Sequence, residues 1–599
     1  MGLVRPGGCD GARAEVTLQP RERYVQMILP EAGLASGSPT TSGSGFTAIT
    51  RMGDGIVSEQ RDRSGLDVSE VAHLVNGKKF TRRQVLGGAA AVGGLAVFGP
   101  LASACGGGEE EGGPAASPSA GPKKGGSLRI GIVGGSAKDT ADPHVASFEP
   151  DIAIQSIMYQ GLATFDLDAQ IINQMAESIE ANADGSVWQC KLKSGLTWHD
   201  GKPITADDVV YSFERIVDPK APKGAAASLS GLVKGSTVKI DDLTVEFRLE
   251  TPNVLLPEGL AVRTAQVVPA GFDPKKPIGC GPFMLTDFKP GDSFTFAPFA
   301  DYMDGSPWVD GLKVIEFADE TARVNALNSG EVEAITQLPT SQASIVESTS
   351  GLVLLNAETG AWRPFTMRID TKPFEDARVR QAFRLIVDRQ QMIDQAYNGF
   401  GTLGNDMYAP FDPGTPDLPQ RAQDLEQAKS LLKEAGYDGL TVELVTSSGA
   451  LGADEVAAAQ VFAEQAKGAG VTVNLRKVDA GVFYGEDYLS WTFAQDFWYT
   501  RNYLSQAGQG TMPGAPYNET HWKNDAWLAI VKEAFGTVDE TARNALIAQA
   551  QEIEYNEGGY IIWAFRNQVD AYSSKITGIT QDKLGFPLGR WNFQNVYFV

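Results

Sequence analysis

Cysteine and histidine are scarce in this sequence, with four of each among 599 residues. Four cysteines in a chain of this length cannot build the dense disulfide framework of small secreted domains. The histidines are scattered, no H-x-x-x-H pair occurs, and no two cysteines have the spacing of a zinc site. The phosphate-binding loop G-x-x-x-x-G-K-[ST] and the G-x-S-x-G motif of serine hydrolases are also missing from the sequence. The sequence therefore predicts no metal site, no cofactor and no catalytic residue.

Positive charge is in the minority, since 51 Lys and Arg stand against 74 Asp and Glu and give a net charge of -23. This excess of acid disfavours nucleic acid or an anionic membrane surface as the main partner, because both are negatively charged. Hydrophobic residues make up 42% of the chain. The length is therefore sufficient for more than one domain and a large buried core.

Long hydrophobic runs are missing too, and the apolar stretch at residues 85–101 is too short and too rich in glycine to predict a membrane-spanning helix. Arg82 and Arg83 precede this stretch, and the sequence LASAC ends it at Cys105. The layout resembles a twin-arginine export signal followed by the lipobox of a bacterial lipoprotein, in which the cysteine carries the lipid. We interpret residues 77–105 as such a signal, with Cys105 as the lipidation site. An uncleaved membrane anchor is the alternative.

The segments on either side of this signal carry no pattern that predicts a fold. Residues 106–123 are rich in Gly, Pro and Ser, and we interpret them as a flexible linker between membrane and domain. Residues 1–76 show no sustained periodicity. We expect them to be disordered or to reflect a mis-assigned start, with translation beginning near Met52 or later, because export signals normally lie near the first residue.

The stretch GLTWHDGKPITADDVVYSFERI, residues 195–216, has the composition of an acid–base or metal site, because two more aspartates follow His199 and Asp200. Local structure accounts for these residues without catalysis. Asp-Gly predicts a tight turn, and Thr205 with Asp208 three residues later predicts a capping box before an apolar helical stripe. Side chains of neighbouring residues on an extended backbone diverge, so His199 and Asp200 are poorly placed to act as a pair. We interpret the stretch as a turn and a capped helix.

The same stretch resembles the signature of the family 5 extracellular solute-binding proteins, which are the oligopeptide- and dipeptide-binding subunits of ABC importers. The family pattern is W-x-F-x-L-R-x-G-V-x-F-H-D-G-x-P-x-T-A-x-D-V-V-Y-S-F-E-R. The residues that match it are Trp188, Leu192, Gly195, His199, Asp200, Gly201, Pro203, Thr205, Ala206, Asp208, Val209, Tyr211, Ser212, Phe213 and Arg215. Further matches are IGCGPFMLTDFKPGDSFTF, KPFEDARVRQAFRLIVDRQQMI and DLEQAKSLLKEAGYDG. The resemblance covers about residues 124–599 and rests on these motifs in combination.

This resemblance implies an α/β fold of the periplasmic-binding-protein type, with two lobes, a hinge and an extra third domain, the arrangement called cluster C. The residues agree, because DGLTVELVT, an Ala-rich helical stretch and VTVNLRKVD form a βαβ pattern with parallel strands. By resemblance we expect the following divisions: lobe I at residues 124–159, 281–360 and 570–599, the extra domain at 160–280, and lobe II at 361–569.

In the peptide-binding members of this family, an extended ligand lies between two edge strands, one from each lobe, and closure of the lobes buries it. The family meets the ligand's ammonium group with an Asp, because a buried charge needs an opposite one, and Asp496 falls at that position. By resemblance, the other candidate ligand-binding residues are Thr492, Phe493 and Ala494 on the edge strand of lobe II, Trp498 just beyond it, and Ala146, Ser147, Phe148 and Glu149 on the opposite strand.

Two departures from the family concern the ligand. The family's D-Y-x-D-P reads Asp-Phe-Trp-Tyr-Thr at residues 496–500, which removes an Asp and a Pro and adds aromatic surface. This change favours a bulkier or aromatic ligand as well as a plain peptide. The alternative interpretation is that neither residue binds the ligand, so that Asp496 caps a turn and Trp498 lies in the core. Trp362 and Arg363 are two further candidates, with Arg363 for a ligand carboxylate. A surface arginine over a core tryptophan is the alternative there.

Taken with the resemblance, the sequence predicts an extracytoplasmic, lipid-anchored, monomeric binding protein that captures a small solute, in the first place a peptide. It would deliver the solute to ABC permease subunits with cytoplasmic ATPases. A secreted membrane-anchored hydrolase, an anchored interaction protein and a binding protein for a non-peptide solute are the alternatives, and nickel complexes are disfavoured by the scarcity of histidine. We expect Cys190 and Cys280 to be buried thiols; a disulfide between them is the alternative, because the compartment is oxidising.

Overall fold

A computed structural model describes residues 123–599 of the chain. The segment at residues 1–76, the signal at 77–105 with its Cys105, and the linker up to residue 122 lie outside the described residues. Among the described helices, none is long and apolar enough to cross a bilayer.

Strands and helices are mixed along the described chain, as an α/β fold requires. In chain order the strands are β1 (Ser127–Val133), β2 (Ala163–Phe165), β3 (Ile171–Asn173), β4 (Ala176–Ala181), β5 (Val187–Leu192), β6 (Thr237–Lys239), β7 (Thr244–Arg248), β8 (Phe283–Lys289), β9 (Ser293–Pro298), β10 (Gly311–Phe317), β11 (Ala334–Ile335), β12 (Leu352–Ala357), β13 (Phe365–Met367), β14 (Gly401–Leu403), β15 (Thr441–Thr446), β16 (Thr472–Lys477), β17 (Phe493–Gln495), β18 (Tyr560–Ile561), β19 (Ala564–Arg566), β20 (Gln568–Ser573), β21 (Ile576–Thr577) and β22 (Tyr597–Phe598). In chain order the helices are α1 (Glu149–Met158), α2 (Ala206–Ile216), α3 (Leu256–Ala261), α4 (Glu320–Ser329), α5 (Ala343–Ser348), α6 (Ala377–Ile386), α7 (Arg389–Ala396), α8 (Leu425–Glu434), α9 (Ser448–Leu451), α10 (Ala453–Lys467), α11 (Ala480–Phe483), α12 (Tyr503–Gly510), α13 (Asp525–Gly536), α14 (Glu540–Glu557) and a short kinked turn, α15 (Pro587–Arg590).

A mixed seven-stranded sheet, in the order β12-β20-β11-β1-β10-β9-β8, forms the part of the molecule that we call lobe I. Its central strand β1 is parallel to both neighbours, with Ser127 opposite Gly311 in β10 and Ile130 opposite Ala334 in β11. The apolar residues of β1 alternate with less buried ones at its start and are fully buried at its centre. A strand covered in this way belongs in the middle of a sheet.

A second, five-stranded sheet, in the order β16-β15-β17-β13-β18, forms the part that we call lobe II. Strands β15 and β16 are parallel, with Thr441 opposite Thr472, and the Ala-rich helix α10 lies between them in sequence. The predicted βαβ unit is thereby confirmed. Buried aromatic rings fill the core beneath this sheet, including Phe365 and Phe462, whose ring centroids are 4.7 Å apart.

Between α1 and β8 the chain builds a separate antiparallel sheet, β4-β5-β7-β6, with its own apolar core. Helix α2 covers this sheet, and the rings of Phe213 and Phe247 meet edge to face at 5.0 Å. The backbone N–H of Thr205 donates to the carboxylate of Asp208 at 2.9 Å, and the Thr205 side chain accepts the N–H of Asp208 in return. The predicted capping box is thereby confirmed.

The residues just before α2 form a turn. His199 Nε2 lies 3.0 Å from the carbonyl oxygen of Gly281, whereas the carboxylate of Asp200 pairs with Lys202 Nζ at 2.7 Å. Burial lowers the pKa of His199 to about 4, so the ring is neutral at pH 7. Gly201 has φ +80°, the left-handed backbone that glycine adopts without strain. The interpretation of this stretch as a turn and a capped helix is confirmed.

Two chain segments connect lobe I with lobe II, and they run side by side. The first leads from β12 to β13 and the second from β19 to β20. Trp362 forms an antiparallel bridge with Phe565, the N–H of Arg566 donates to the carbonyl of Ala361 at 2.8 Å, and Thr359 Oγ1 donates to the carbonyl of Arg566 at 2.6 Å. Two adjacent connectors make a narrow hinge, because a rotation about them changes the dihedral angles of only a few residues.

Cys190 and Cys280 are both buried and free, which confirms the prediction of two thiols. Burial raises the pKa of each thiol to about 12. Both side chains therefore stay protonated and unreactive at physiological pH.

Candidate functional site

Strand β17 brings Asp496 to the middle of lobe II. Phe365 of β13 lies opposite Gln495 on one side of this strand, and Val445 of β15 lies opposite Ala494 on the other. The prediction that Thr492, Phe493 and Ala494 form an edge strand is therefore wrong.

The physical reason is burial of the strand on both faces. Phe493 is 1% exposed and packs among the rings of Phe374, Phe383 and Phe462. Strands covered on both faces are typical of a sheet interior, and here β13 and β15 pair with the backbone of β17 on its two sides. A ligand cannot add to it as a further strand.

The opposite predicted strand, Ala146 to Glu149, is an unpaired irregular segment that bends at Phe148 and leads into α1, so the prediction of a strand there is wrong as well. The carboxylate of Asp151 accepts the N–H of Ser147 at 3.3 Å, and Glu149 is already the first residue of the helix. The side chain of Phe148 is 48% exposed, whereas Ala146 is buried. An acid in the first turn of a helix accepts hydrogen bonds from backbone N–H groups that have no partner within the helix, and it thereby favours the start of the helix over a continued strand.

Glu149, the first residue of α1, is a partly exposed acid whose carboxyl lies in a largely enclosed place. One oxygen of its carboxyl accepts Gln337 Nε2 at 3.0 Å, and the other, also buried, has no hydrogen-bond partner among the described residues. Burial raises the pKa of Glu149 to about 7. Arg323, 1% exposed, acts electrostatically on it.

Asp496 follows β17 directly and is 3% exposed. Its carboxylate accepts the N–H of Phe497 at 2.8 Å. Burial raises the pKa of Asp496 to about 6, and the hydrogen bond from Phe497, the neighbouring Tyr488 and Glu519 and the charge of Arg363 act in the opposite direction. A carboxylate held in a dry place with a raised pKa is the type of group that a cationic ligand stabilises.

Glu519 lies beside Asp496 and was not found from the sequence. Trp498 Nε1 donates to one oxygen of its carboxyl at 2.9 Å, and the Tyr560 hydroxyl donates to the other at 2.5 Å. Burial and then the charge of Asp496 raise the pKa of Glu519 well above its usual range. Two adjacent buried carboxyls cannot both ionise easily, so Glu519 holds the proton while Asp496 carries the charge. The motif YNETHW contains Glu519, but nothing in its spacing pointed to Asp496.

Arg363 lies close to this acid pair. Its guanidinium is 5.1 Å from the centroid of the Phe497 ring, and its Nε is 3.9 Å from a carboxylate oxygen of Glu455, which is fully buried. The side chain of Arg363 is 16% exposed. Of the predicted residues, Arg363 therefore lies near enough to Asp496 for its charge to act on that carboxyl and lower its pKa.

Trp362 and Trp498 lie in the core. Their backbones pair through two hydrogen bonds of 3.0 and 2.9 Å, and their rings stack with centroids 5.9 Å apart. Trp362 also stacks on Tyr408 at 5.6 Å. Trp362 is 1% exposed and Trp498 is 6% exposed. The alternative interpretation from the sequence, that each tryptophan lies in the core, is therefore the one that the structure supports. Their role is to hold the backbone on either side of Arg363 and Asp496.

A family model and individual relatives both match most of this chain, and they agree on the class of protein. A family model described as bacterial extracellular solute-binding proteins, family 5 Middle, matches residues 170–513. The glutathione-binding protein GsiB of Pectobacterium atrosepticum is 26% identical over 475 residues, which cover 75% of this chain and 90% of that protein. GsiB of Escherichia coli K12 is 26% identical over 472 residues, covering 75% and 91%.

Solved structures are similar over most of the described chain. The ABC transporter substrate-binding protein CtaP of Listeria monocytogenes has a TM-score of 0.70 and 25% identity, covering 80% of this chain and all of that one. The binding protein AgaA of A. tumefaciens R10, solved in complex with agropinic acid, has a TM-score of 0.63 and 26% identity, covering 79% and 99%. The predicted two-lobed binding-protein fold is confirmed by these neighbours.

Proposed function

Because this chain belongs to the bacterial extracellular solute-binding proteins of family 5 and is a substrate-binding protein of an ABC importer, we propose a class of solute for it. The solute is a short peptide or a peptide-like molecule with a free ammonium group. Asp496 carries this proposal. It is a buried carboxylate with a raised pKa that lies beside an arginine and at the end of a central strand. The glutathione-binding relatives support the same class of solute, because glutathione is a tripeptide.

The ammonium group of the solute pairs with the carboxylate of Asp496. A charge taken out of water must be matched by an opposite charge and hydrogen bonds, or the desolvation cost prevents binding. Glu519 keeps its proton, so the acid pair presents one negative charge to one positive charge. Arg363, next to Asp496, is the candidate partner for a carboxylate of the same solute.

The narrow hinge between the lobes provides for capture. We infer that the lobes close over the solute, that Phe148 and its neighbours face it from lobe I, and that the closed form is presented to the permease. The solute is held by charged pairs and by loop residues beyond β17, and not by addition of a strand to Phe493 or Ala494, because that strand has neighbours on both sides.

The test is to look for the bound molecule itself. We expect native mass spectrometry of protein purified from cells grown on peptone to show an added mass that fragments as a peptide. Calorimetry with short peptides should then show saturable binding without any change in the peptide. Cleaved peptides would support the hydrolase alternative, and a bound molecule without peptide fragments would support a non-peptide solute.

We also propose that the protein is exported by the twin-arginine route, is anchored to the outer face of the membrane by a lipid on Cys105, and acts as a monomer. The signal-like sequence at residues 77–105 and the extracellular family support the export and the anchor. Replacement Cys105→Ala should release the protein from membranes into the soluble fraction and abolish incorporation of labelled fatty acid. Retention of the variant in the membrane would support an uncleaved anchor instead.

A further inference from the structure

The loop that carries Asp496 runs antiparallel to the connector from β12 to β13. Trp362 of the connector and Trp498 of the loop exchange two backbone hydrogen bonds, of 3.0 and 2.9 Å. Two residues further along each segment, the N–H of Gly360 donates to Thr500 Oγ1 at 3.0 Å, so that a side-chain oxygen takes the place of a backbone carbonyl. The loop of Asp496 is therefore joined to the hinge by hydrogen bonds at regular intervals.

The hydroxyl of Thr500 makes a second hydrogen bond, which leaves lobe II. Thr500 Oγ1 donates to the carbonyl oxygen of Lys583 at 3.1 Å, and a hydroxyl can accept one bond and donate another in this way. Lys583 lies after β21, in a segment whose residues Leu588 and Trp591 pack into the core of lobe I. A Cβ at Gly360 would lie 2.9 Å from the methyl group of Thr500, so glycine permits this close approach. One hydroxyl group thus joins the loop, the hinge and lobe I.

The β2–β3 hairpin holds Lys583 in place. The N–H of Lys583 donates to the carbonyl of Leu167 at 3.1 Å, and its ammonium group lies 2.8 Å from the carboxylate of Asp168. The same ammonium group lies 5.1 Å from the ring centroid of Phe411, between β14 and α8, and Gln170 Nε2 donates to the Phe411 carbonyl at 3.0 Å. Exposed ion pairs contribute little, so the bonds to main-chain carbonyls matter most. At Lys583, lobe II therefore touches both lobe I and the hairpin.

We propose that Thr500 is a positioning residue for solute capture, because closure of the lobes brings its hydroxyl onto the carbonyl of Lys583 and this bond holds the loop of Asp496 in place. The inference rests on the proposed solute site at Asp496. It concerns a feature particular to this chain, since Thr500 stands where the family pattern D-Y-x-D-P has a proline, which has no hydroxyl. Opening of the hinge separates Thr500 from Lys583. The bond therefore favours the closed form and retains the solute.

Thr500→Val tests the inference, because it removes the hydroxyl and keeps the branched side chain. Spin labels on Thr321→Cys in α4 of lobe I and on Lys433→Cys in α8 of lobe II, both exposed positions, report the distance between the lobes. Cys9→Ala and Cys105→Ala leave only the two buried thiols beside the labels. We expect Thr500→Val to lower the ratio of closed to open protein about 2- to 10-fold, the range of one hydrogen bond.

Stopped-flow measurements with the tripeptide Ala-Glu-Ala, which has a free ammonium group, test the effect on capture. Thr500→Val should raise the dissociation rate about 2- to 10-fold. The association rate should stay unchanged, because the bond forms only after the solute has entered. Thr500→Ser keeps the hydroxyl and should restore both the ratio and the rate. Thr415→Val is the matched control, because Thr415 Oγ1 donates to the carbonyl of Ala409 at 2.7 Å within one loop, and it should change neither.

The outcomes separate this inference from the function on which it rests. Equal closed-to-open ratios in the wild type and Thr500→Val, with Ala-Glu-Ala bound equally well, would overturn the inference and leave the peptide function intact. A wild type that does not bind Ala-Glu-Ala would overturn both. Gly360→Ala provides a second readout if Thr500→Val fails to fold, because its added methyl group displaces the Thr500 side chain. It should lower the closed-to-open ratio as well, and an unchanged ratio would again contradict the inference.

Discussion

Asp496→Asn separates what a buried carboxylate costs the fold from what it contributes to binding. Asp496 is 3% exposed, and burial raises its pKa to about 6 from 3.8. A shift of about 2 units corresponds to about 3 kcal/mol, by which the ionised group destabilises the unliganded fold. Asn keeps the shape and removes the charge. We therefore expect the variant to be more stable than the wild type at pH 8, by up to about 3 kcal/mol.

The pH dependence of this difference follows from the direction of the shift. Because the pKa of Asp496 is raised in the folded state, the folded protein binds the proton more tightly than the unfolded chain does. The penalty is absent below about pH 4, grows between about pH 4 and 6, and is complete above about pH 6. The extra stability of the variant should follow the same window and disappear at pH 4.

Binding should change in the opposite direction. Loss of one partner of a buried ion pair costs about 3–5 kcal/mol, which is a 10²- to 10³-fold or greater loss of affinity. Acetylation of the amine of Ala-Glu-Ala should have a similar effect on the wild type. The two losses should not add, because both remove the same pair.

Differential scanning calorimetry at pH 8 and pH 4, with peptide titrations at pH 8, measures both effects. A lobe of this size gains about 2–4 °C per kcal/mol, so the melting temperature of Asp496→Asn should rise by up to about 6–12 °C at pH 8. Asp438→Asn is the control, because Asp438 is an exposed aspartate of the same lobe. If Asp496→Asn melts with the wild type at pH 8 and binds Ala-Glu-Ala equally well, Asp496 is a scaffold residue and the reasoning fails.

Three further predictions concern the fold. Thr205→Ala removes one half of a capping box and should lower the free energy of unfolding by about 1 kcal/mol in chemical denaturation; an unchanged midpoint would contradict the assigned cap. Phe493→Ala opens a cavity in the core of lobe II and should cost about 3–5 kcal/mol, whereas Phe148→Ala, at an exposed position, should stay within about 0.5 kcal/mol. Cys190 and Cys280 should react with iodoacetamide only after denaturation, because burial raises the pKa of both thiols to about 12; a 190–280 linked peptide in unreduced protein would show a disulfide instead.

Features made by residues close together in the chain could be predicted. The capping box of Thr205 and Asp208 and the Asp-Gly turn before it follow from spacing, because their hydrogen bonds join near neighbours. The βαβ unit around α10 follows from the order of its strand and helix patterns, although its strands pair Thr441 with Thr472. The resemblance to family 5 added the two-lobed fold. The place of Asp496 came from that resemblance as well, and the structure puts it beside Arg363.

The position of β17 within its sheet could not be predicted in this way. Its residues Phe-Ala-Gln are too few to show whether one face or two are covered. Only the pairing with β13 and β15, which lie far away in sequence, places it in the interior. Likewise the chain from Ala146 to Glu149 reads as a strand, but no strand pairs with it; the N–H of Ser147 donates to Asp151 instead, and α1 begins at Glu149.

The sequence by itself determined the capping box, the Asp-Gly turn, the βαβ unit and the family, because each depends on the order of residues along the chain. The tertiary structure alone decided that Glu519 lies against Asp496 and that β13 and β15 flank β17. These groups come from separate segments, and folding removes them from water together. Charge and pKa depend on burial and on neighbours in space, so the chemistry of the site exists only once those segments are packed.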